Sequence, residues 1–183
     1  YSIDGGLSIM SELRTNRIIP RDGLPSGSAG GIIQIKQTIL KTQFTVSQNV
    51  SSGYTDLTGL SVAITPTRSD SKVLVRAVIY NSIASNNVIF FRLLRGSTFI
   101  EQPSGTSSSG ANWNAHAFSY YDHTYQDSTS LEILDSPATT SATTYKIQVA
   151  ATNNSSPTIT INKFAGTSNY YGISTITAME VSG

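Results

Sequence analysis

The run KVLVRAVIYNSIASNNVIFFRLLRGSTFI, residues 72–100, constrains the fold of this 183-residue chain more than any other stretch. Val73, Val75, Ala77 and Ile79 fall at every second position. A period of two sends side chains to alternate faces, which is the geometry of a strand. NVIFFRLLRGSTFI then reads as two strands about the turn Arg95-Gly96-Ser97. Isolated strands are not stable in water, so the rest of the chain must supply neighbours.

It does so in short pieces. GGIIQIKQTIL carries Ile33, Ile35 and Ile39; LSVAITP carries Val62 and Ile64 and is stopped by Pro66; WNAHAFSYY, SLEIL, TYKIQVAA, TITINKF and GISTITAMEV follow. Between them lie SNN, PSGTSSSG, DSPATTSA, TNNSSP and AGTSN, all of turn or loop composition. No stretch keeps a 3.6-residue apolar period over three turns, and no motif repeats at a fixed interval. About nine strands at this spacing predict an all-β chain, an antiparallel β-sandwich or jelly roll, over residues 31–183.

Composition agrees. Charged residues make up 13% of the chain, about half the usual share, and Ser, Thr, Asn and Gly take their place. The net charge of +1 leaves no electrostatic footprint for nucleic acid or an anionic membrane. No apolar run nears the roughly 20 residues of a membrane span, so no membrane insertion is expected. The opening YSIDGGLSIMSELR lacks a basic segment followed by an apolar one, so no secretion signal is expected. The chain has no Cys, which removes disulfides and thiolate metal sites.

Residues 1–30 differ from the rest. ELRTNRII is long enough for one short strand, and then Pro20, Asp22, Gly23, Pro25 and Gly27 stop it. This predicts an extended N-terminal arm and linker outside the sandwich.

Two strands are apolar on both faces. NVIFFRLLR sets Val88, Phe90 and Leu94 against Ile89, Phe91 and Leu93; KVLVRAVIY adds Leu74, Val78 and Tyr80 on its second face. A strand with one face in water should alternate cleanly, as TYKIQVAA does. One reading is a satellite core under a loop. The other is a subunit interface on one sheet's outer face, built from Leu74, Val78, Tyr80, Ile89, Phe91 and Leu93.

No motif for catalysis or for a cofactor stands out. Of the two histidines, His116 sits in a strand-like run, and His123 adjoins Asp122 in YYDHTY. A metal held by Asp122, His123 and Asp127 and a Ser-His-Asp triad are both weaker readings than a polar loop, since Ser is abundant enough to match any triad. SGSAGG lacks the Lys and the helix of a phosphate loop. One enrichment remains: Asn112, Trp113, Tyr121, Tyr125, Asn169, Tyr170 and Tyr171 fall in or beside the Ser/Gly/Asn-rich loops. Amphipathic rings among amides and hydroxyls suit sugars and protein contacts.

The order GGIIQIKQT, SGYTDLTGLSVAITPTRSDSKVLVRAVIY, FFRLLRGSTFI, SLEILDSPATTSATTYKIQV, STITAMEV resembles the C-terminal jelly-roll domain of phage tail fibres and virion structural proteins, those of cyanophages above all. It covers residues 31–183, and SELRTNRIIPRDG is similar to the element preceding that domain. The resemblance implies a homotrimer of jelly rolls, similar in plan to the tumour necrosis factor fold, on a virion. It implies a non-enzymatic head that adheres to host-surface glycan or protein. It also implies an arm that pairs with its copies or docks on another virion protein. Two other roles fit the same residues: a capsid or tail decoration protein without a specific ligand, and a glycan-degrading tailspike.

Overall fold

The computed structural model describes residues 31–83, 87–105, 114–121, 125–152, 157–166 and 169–182. Among them are eleven β-strands, one short 3-10 turn and no α-helix. The strands are β1 (Ile32–Leu40), β2 (Phe44–Ser47), β3 (Thr55–Ile64), β4 (Lys72–Ile83), β5 (Asn87–Arg95), β6 (Thr98–Phe99), β7 (Ala117–Tyr121), β8 (Tyr125–Asp135), β9 (Thr143–Ala151), β10 (Thr158–Ile161) and β11 (Ser174–Val181). The expected arm, residues 1–30, lies outside the described residues.

Two antiparallel sheets result. The six-stranded sheet places β1, β11, β4 and β8 side by side, with β10 and β2 continuing from the far end of β4. The five-stranded sheet runs β3, β9, β5, with β6 and β7 both on the free side of β5. The pairing is nested: β1 with β11, β3 with β9, β4 with β8, β5 with β7. Successive pairs alternate between the sheets. A long hairpin wrapped in this way into two layers is a jelly roll.

Between the sheets, Val73, Val75, Ala77 and Ile79 of β4 meet Tyr145, Ile147 and Val149 of β9 and Ile89, Phe91 and Leu93 of β5, all without solvent exposure. The alternation in β3 breaks at Gly59, which has φ 85° and sits in an irregularity of the β3–β9 register. Leu57 and Leu60 can thus both face the core despite their odd spacing. The β5–β6 turn falls at Gly96, in the left-handed region at φ 58°, as the sequence predicts.

Two buried carboxylates close one end of the sandwich. Gln34, Glu180, Val73 and Asp135 occupy one register row of the six-stranded sheet. Glu180 accepts hydrogen bonds from Gln34 Nε2 at 2.6 Å and from the Thr67 backbone N–H and Oγ1 at 2.7 Å each. Asp135 accepts from the Tyr145 hydroxyl at 2.6 Å and from Arg95 Nη1 at 2.8 Å. Paired in this way, the charges fit an interior that would expel them bare.

Part of the interface expectation is corrected here. Ile89, Phe91 and Leu93 are core residues of their own chain. It is Val88, Phe90, Arg92 and Leu94 that face outward, and of these only Val88 is more than marginally exposed. A strand apolar on both faces does not reveal by period alone which face is inner. Leu74, Val78 and Tyr80 do point outward, from the other sheet, and are half-buried.

Candidate functional site

Tyr170 and Tyr171 stand on the connection between β10 and β11, more than 60% exposed. A buried polar knot holds that connection. Asn162, at φ 61°, donates from Nδ2 to the carbonyls of Leu40 (2.7 Å) and Thr42 (3.0 Å) and accepts from Ser174 Oγ (2.6 Å). Ser174 Oγ in turn accepts from the Tyr80 N–H at 2.9 Å. The Gly172 N–H bonds back to the Asn162 carbonyl at 3.2 Å, and the Phe164 N–H to the Tyr170 carbonyl at 3.1 Å. The Tyr170 ring leans on Phe164, centroids 6.2 Å apart. Gly172 crosses the face of Tyr80 so closely that a Cβ there would run into the ring. The knot ties the ends of β1, β4, β10 and β11 together and presents two rings and exposed Asn169 on a fixed frame.

A second aromatic cluster covers the outer face of β5. The Arg92 guanidinium lies 3.4 Å from the centroid of the Tyr54 ring and 4.7 Å from that of Phe99. Its Nε donates to the Asn114 carbonyl at 2.6 Å, which the Tyr54 hydroxyl also approaches at 3.3 Å. Burial pushes the Tyr54 phenol up to about 12 despite the neighbouring cation. His116 accepts from the Leu93 N–H at Nδ1 and therefore carries its proton on Nε2, which donates to the Ile100 carbonyl at 2.8 Å. Burial lowers its pKa, although the Ile100 and Glu101 backbone opposes this. His116 is thus a neutral structural pin.

The outer face of the six-stranded sheet is arranged in rows across four strands. Ile35, Met179, Leu74 and Leu134 form one; Gln37, Thr177, Arg76 and Glu132 the next; Ile39, Thr175, Val78 and Ser130 the third. Ile35, Ile39 and Leu134 are about half exposed. On the outer face of the other sheet, Phe118 and Tyr120 of β7 are about two-thirds exposed.

Of the residues expected to bind ligand, Asn169, Tyr170 and Tyr171 come together. Tyr121 and Tyr125 are strand residues rather than loop residues, paired with Asn87 and Ile83. Asn112 and Trp113 lie outside the described residues, as do Asp122 and His123 of the weaker metal reading. Among the described residues no three His, Cys, Asp or Glu cluster as metal ligands would. Sequence reasoning missed Phe118, Leu134 and Met179, whose outward position depends on cross-strand register; Tyr120 belongs to the aromatic enrichment of the sequence.

No protein-family model matches the chain, and no curated protein matches it. Among solved structures, it is similar to those of infectious bursal disease virus. With the Gt strain the TM-score is 0.41 at 11% identity, covering 82% of this chain and 38% of that one. With the Gx strain they are 0.38 and 13%, covering 82% and 38%. With the VP2 subviral particle they are 0.38 and 11%, covering 83% and 39%. The chain thus spans about two fifths of the length of those proteins. The jelly-roll assignment rests on its own nested strand pairing.

Proposed function

We propose that this chain is a non-enzymatic structural protein of a virus particle, a homotrimeric head that adheres to the host surface, most plainly to glycan. The observation that carries this is the outer face of the six-stranded sheet. Leu74 and Val78, with Ile35, Ile39, Met179 and Leu134, leave open apolar groups that the chain's own core does not need, whereas the Tyr80 ring is covered by Gly172 of its own chain. Such a face suits burial against other copies. The order of segments that resembles phage fibre heads supports the virion setting. The arm, residues 1–30, would join the head to other virion proteins.

Adhesion is assigned to Asn169, Tyr170 and Tyr171, together with Asn112, Trp113, Tyr121 and Tyr125 as the sequence suggests them. Flat rings beside amides and hydroxyls stack on sugar faces and hydrogen-bond their edges. One shallow site binds weakly. Three on one head gain avidity of about two to four orders of magnitude. The test is attachment to host cells by the Tyr170→Ala, Tyr171→Ala double variant. It should lose attachment while its melting temperature stays within a few degrees, as exposed positions usually cost under about 0.5 kcal/mol. Undiminished attachment would contradict the assignment and favour a decoration role.

A further inference from the structure

The six-stranded sheet ends on β1, which pairs only with β11 among the described residues. The Ser182 N–H bonds to the Gly31 carbonyl at 2.9 Å, so the even-numbered residues of β11 turn their backbone groups toward β1. Their partners there are Leu40, Thr38, Lys36 and Gln34. Backbone direction alternates along a strand, so Ile35, Gln37 and Ile39 aim their N–H and C=O groups out of the open edge. Ile35 and Ile39 are also about half exposed on the sheet's outer face.

The other edges are guarded, short or broken. Ser128 pairs with Tyr80, whose N–H bonds to Ser174 and whose carbonyl accepts from Asn162, so Ser128 aims its own N–H out of the β8 edge. Asp127 Oδ1 accepts it at 2.7 Å, a carboxylate where a further strand would bond. β3 is irregular between Asp56 and Ser61, β2 has four residues, β6 two and β7 five. β1 has nine residues, keeps its register from Gln34 to Leu40, and carries no Asp, Glu or Pro; its one charge is Lys36. A long apolar edge with so little protection is a surface for strand addition.

The chain carries a partner for it. We infer that ELRTNRII, residues 12–19, adds antiparallel to β1 of its own copy as one more edge strand, outside the core, with Ile19 beside Ile35. Residues 20–30 then return the chain to Gly31. That return is four residue steps, roughly 14 Å, and a linker of eleven residues reaches up to about 36 Å. A tether this short keeps the loop entropy small. The register also matches the rows of the sheet. Ile19 extends the apolar row of Ile35, Met179, Leu74 and Leu134, and Arg17 extends the polar row of Gln37, Thr177, Arg76 and Glu132. Gln37 donates from Nε2 to Thr177 Oγ1 at 2.9 Å, and its Oε1 suits a guanidinium donor. Thr15 meets Ile39, a β-branched pair. Pro20 falls beside Gln34, whose backbone groups bond to β11, so its missing N–H costs no ladder bond. Slips of one or two residues would set an arginine against Ile35 or Ile39, or Pro20 at a ladder position. The pairing is independent of how copies assemble, and residues 1–11 stay available to other virion proteins.

Amide hydrogen exchange on the full chain tests this. At Ile35, Gln37 and Ile39 it should be at least about 100-fold slower in the unsubstituted chain than in Arg17→Pro, which cannot complete the added ladder. Lys36 and Thr38, bonded to β11, should exchange alike in both and report that the head is folded. Fast exchange at the three edge amides in the unsubstituted chain would contradict the pairing. So would slow exchange that survives Arg17→Pro, since something other than the arm would then cover the edge. The chain has no Cys, so a cysteine pair gives a second readout. Ile18→Cys with Lys36→Cys makes a close, non-hydrogen-bonded pair in this register. On oxidation both thiols should be lost to titration while a denaturing gel keeps the chain mass. Disulfide-linked dimers would mean that the arm reaches a second copy, and thiols that stay free would mean that it does not lie on β1. Either result would overturn the inference.

Discussion

Gly172 is held between the polar knot and the Tyr80 ring, and its missing side chain is what lets the aromatic segment lie flat. Gly172→Ala should cost about 1–3 kcal/mol, the usual range for overpacking. Tyr80→Ala in the same background should recover part of the loss in thermal melts. Failure to recover would show that the strain lies in the backbone instead. Glu180 makes a pH-dependent prediction. Burial raises the pKa of its carboxyl, but the hydrogen bonds from Gln34 and Thr67 outweigh this and hold it below the ordinary value. A depressed carboxyl stabilises the fold above its unfolded value of about 4.5, and the contribution is lost as the pH falls through the folded value. Melting temperature should therefore drop below about pH 4.5, and Glu180→Gln should flatten that part of the curve. At the alkaline end the sign reverses. Burial raises Tyr54 to about 12 and, with Asp135 adjacent, lifts Tyr145 well above the usual tyrosine range. Stability should therefore fall as pH rises past about 10, where only the unfolded phenols ionise.

At the scale of elements, most strands were legible because a period of two survives in short pieces such as TYKIQVAA and STITAMEV. β2 was not, since FTVS is too short and too polar to stand out. The first half of β3 was hidden because Gly59 flips the alternation. β5 was legible as a strand, but its inward face was not, because apolar residues occupy both faces. The cause is visible around Arg92. That side chain is stacked between Tyr54 and Phe99, so the outer face of β5 is covered locally instead of facing water. Arg92→Ala should cost about 2 kcal/mol through the lost cation–π contacts of a desolvated guanidinium. Arg92→Lys should recover little, because an ammonium cannot stack as a plane. Thermal or urea unfolding of the two variants checks this. A fully stable Arg92→Lys would mean that charge alone matters.

At the scale of the whole molecule, the jelly roll could be foreseen as a class, but its nested pairing could not. Register needs the partners, and the rows Ile35–Met179–Leu74–Leu134 and Gln37–Thr177–Arg76–Glu132 exist only once four distant strands lie side by side. The aromatic site was half legible. Tyr170 and Tyr171 could be picked from composition, whereas the Asn162–Ser174 knot that fixes them joins β1, β4 and β11 to the residue just after β10. The central claim is that the open rows of the six-stranded sheet are buried between copies. Light scattering on the purified chain at micromolar concentration tests it most directly. The account predicts three times the chain mass; a stable, non-aggregating particle of one chain mass would contradict it.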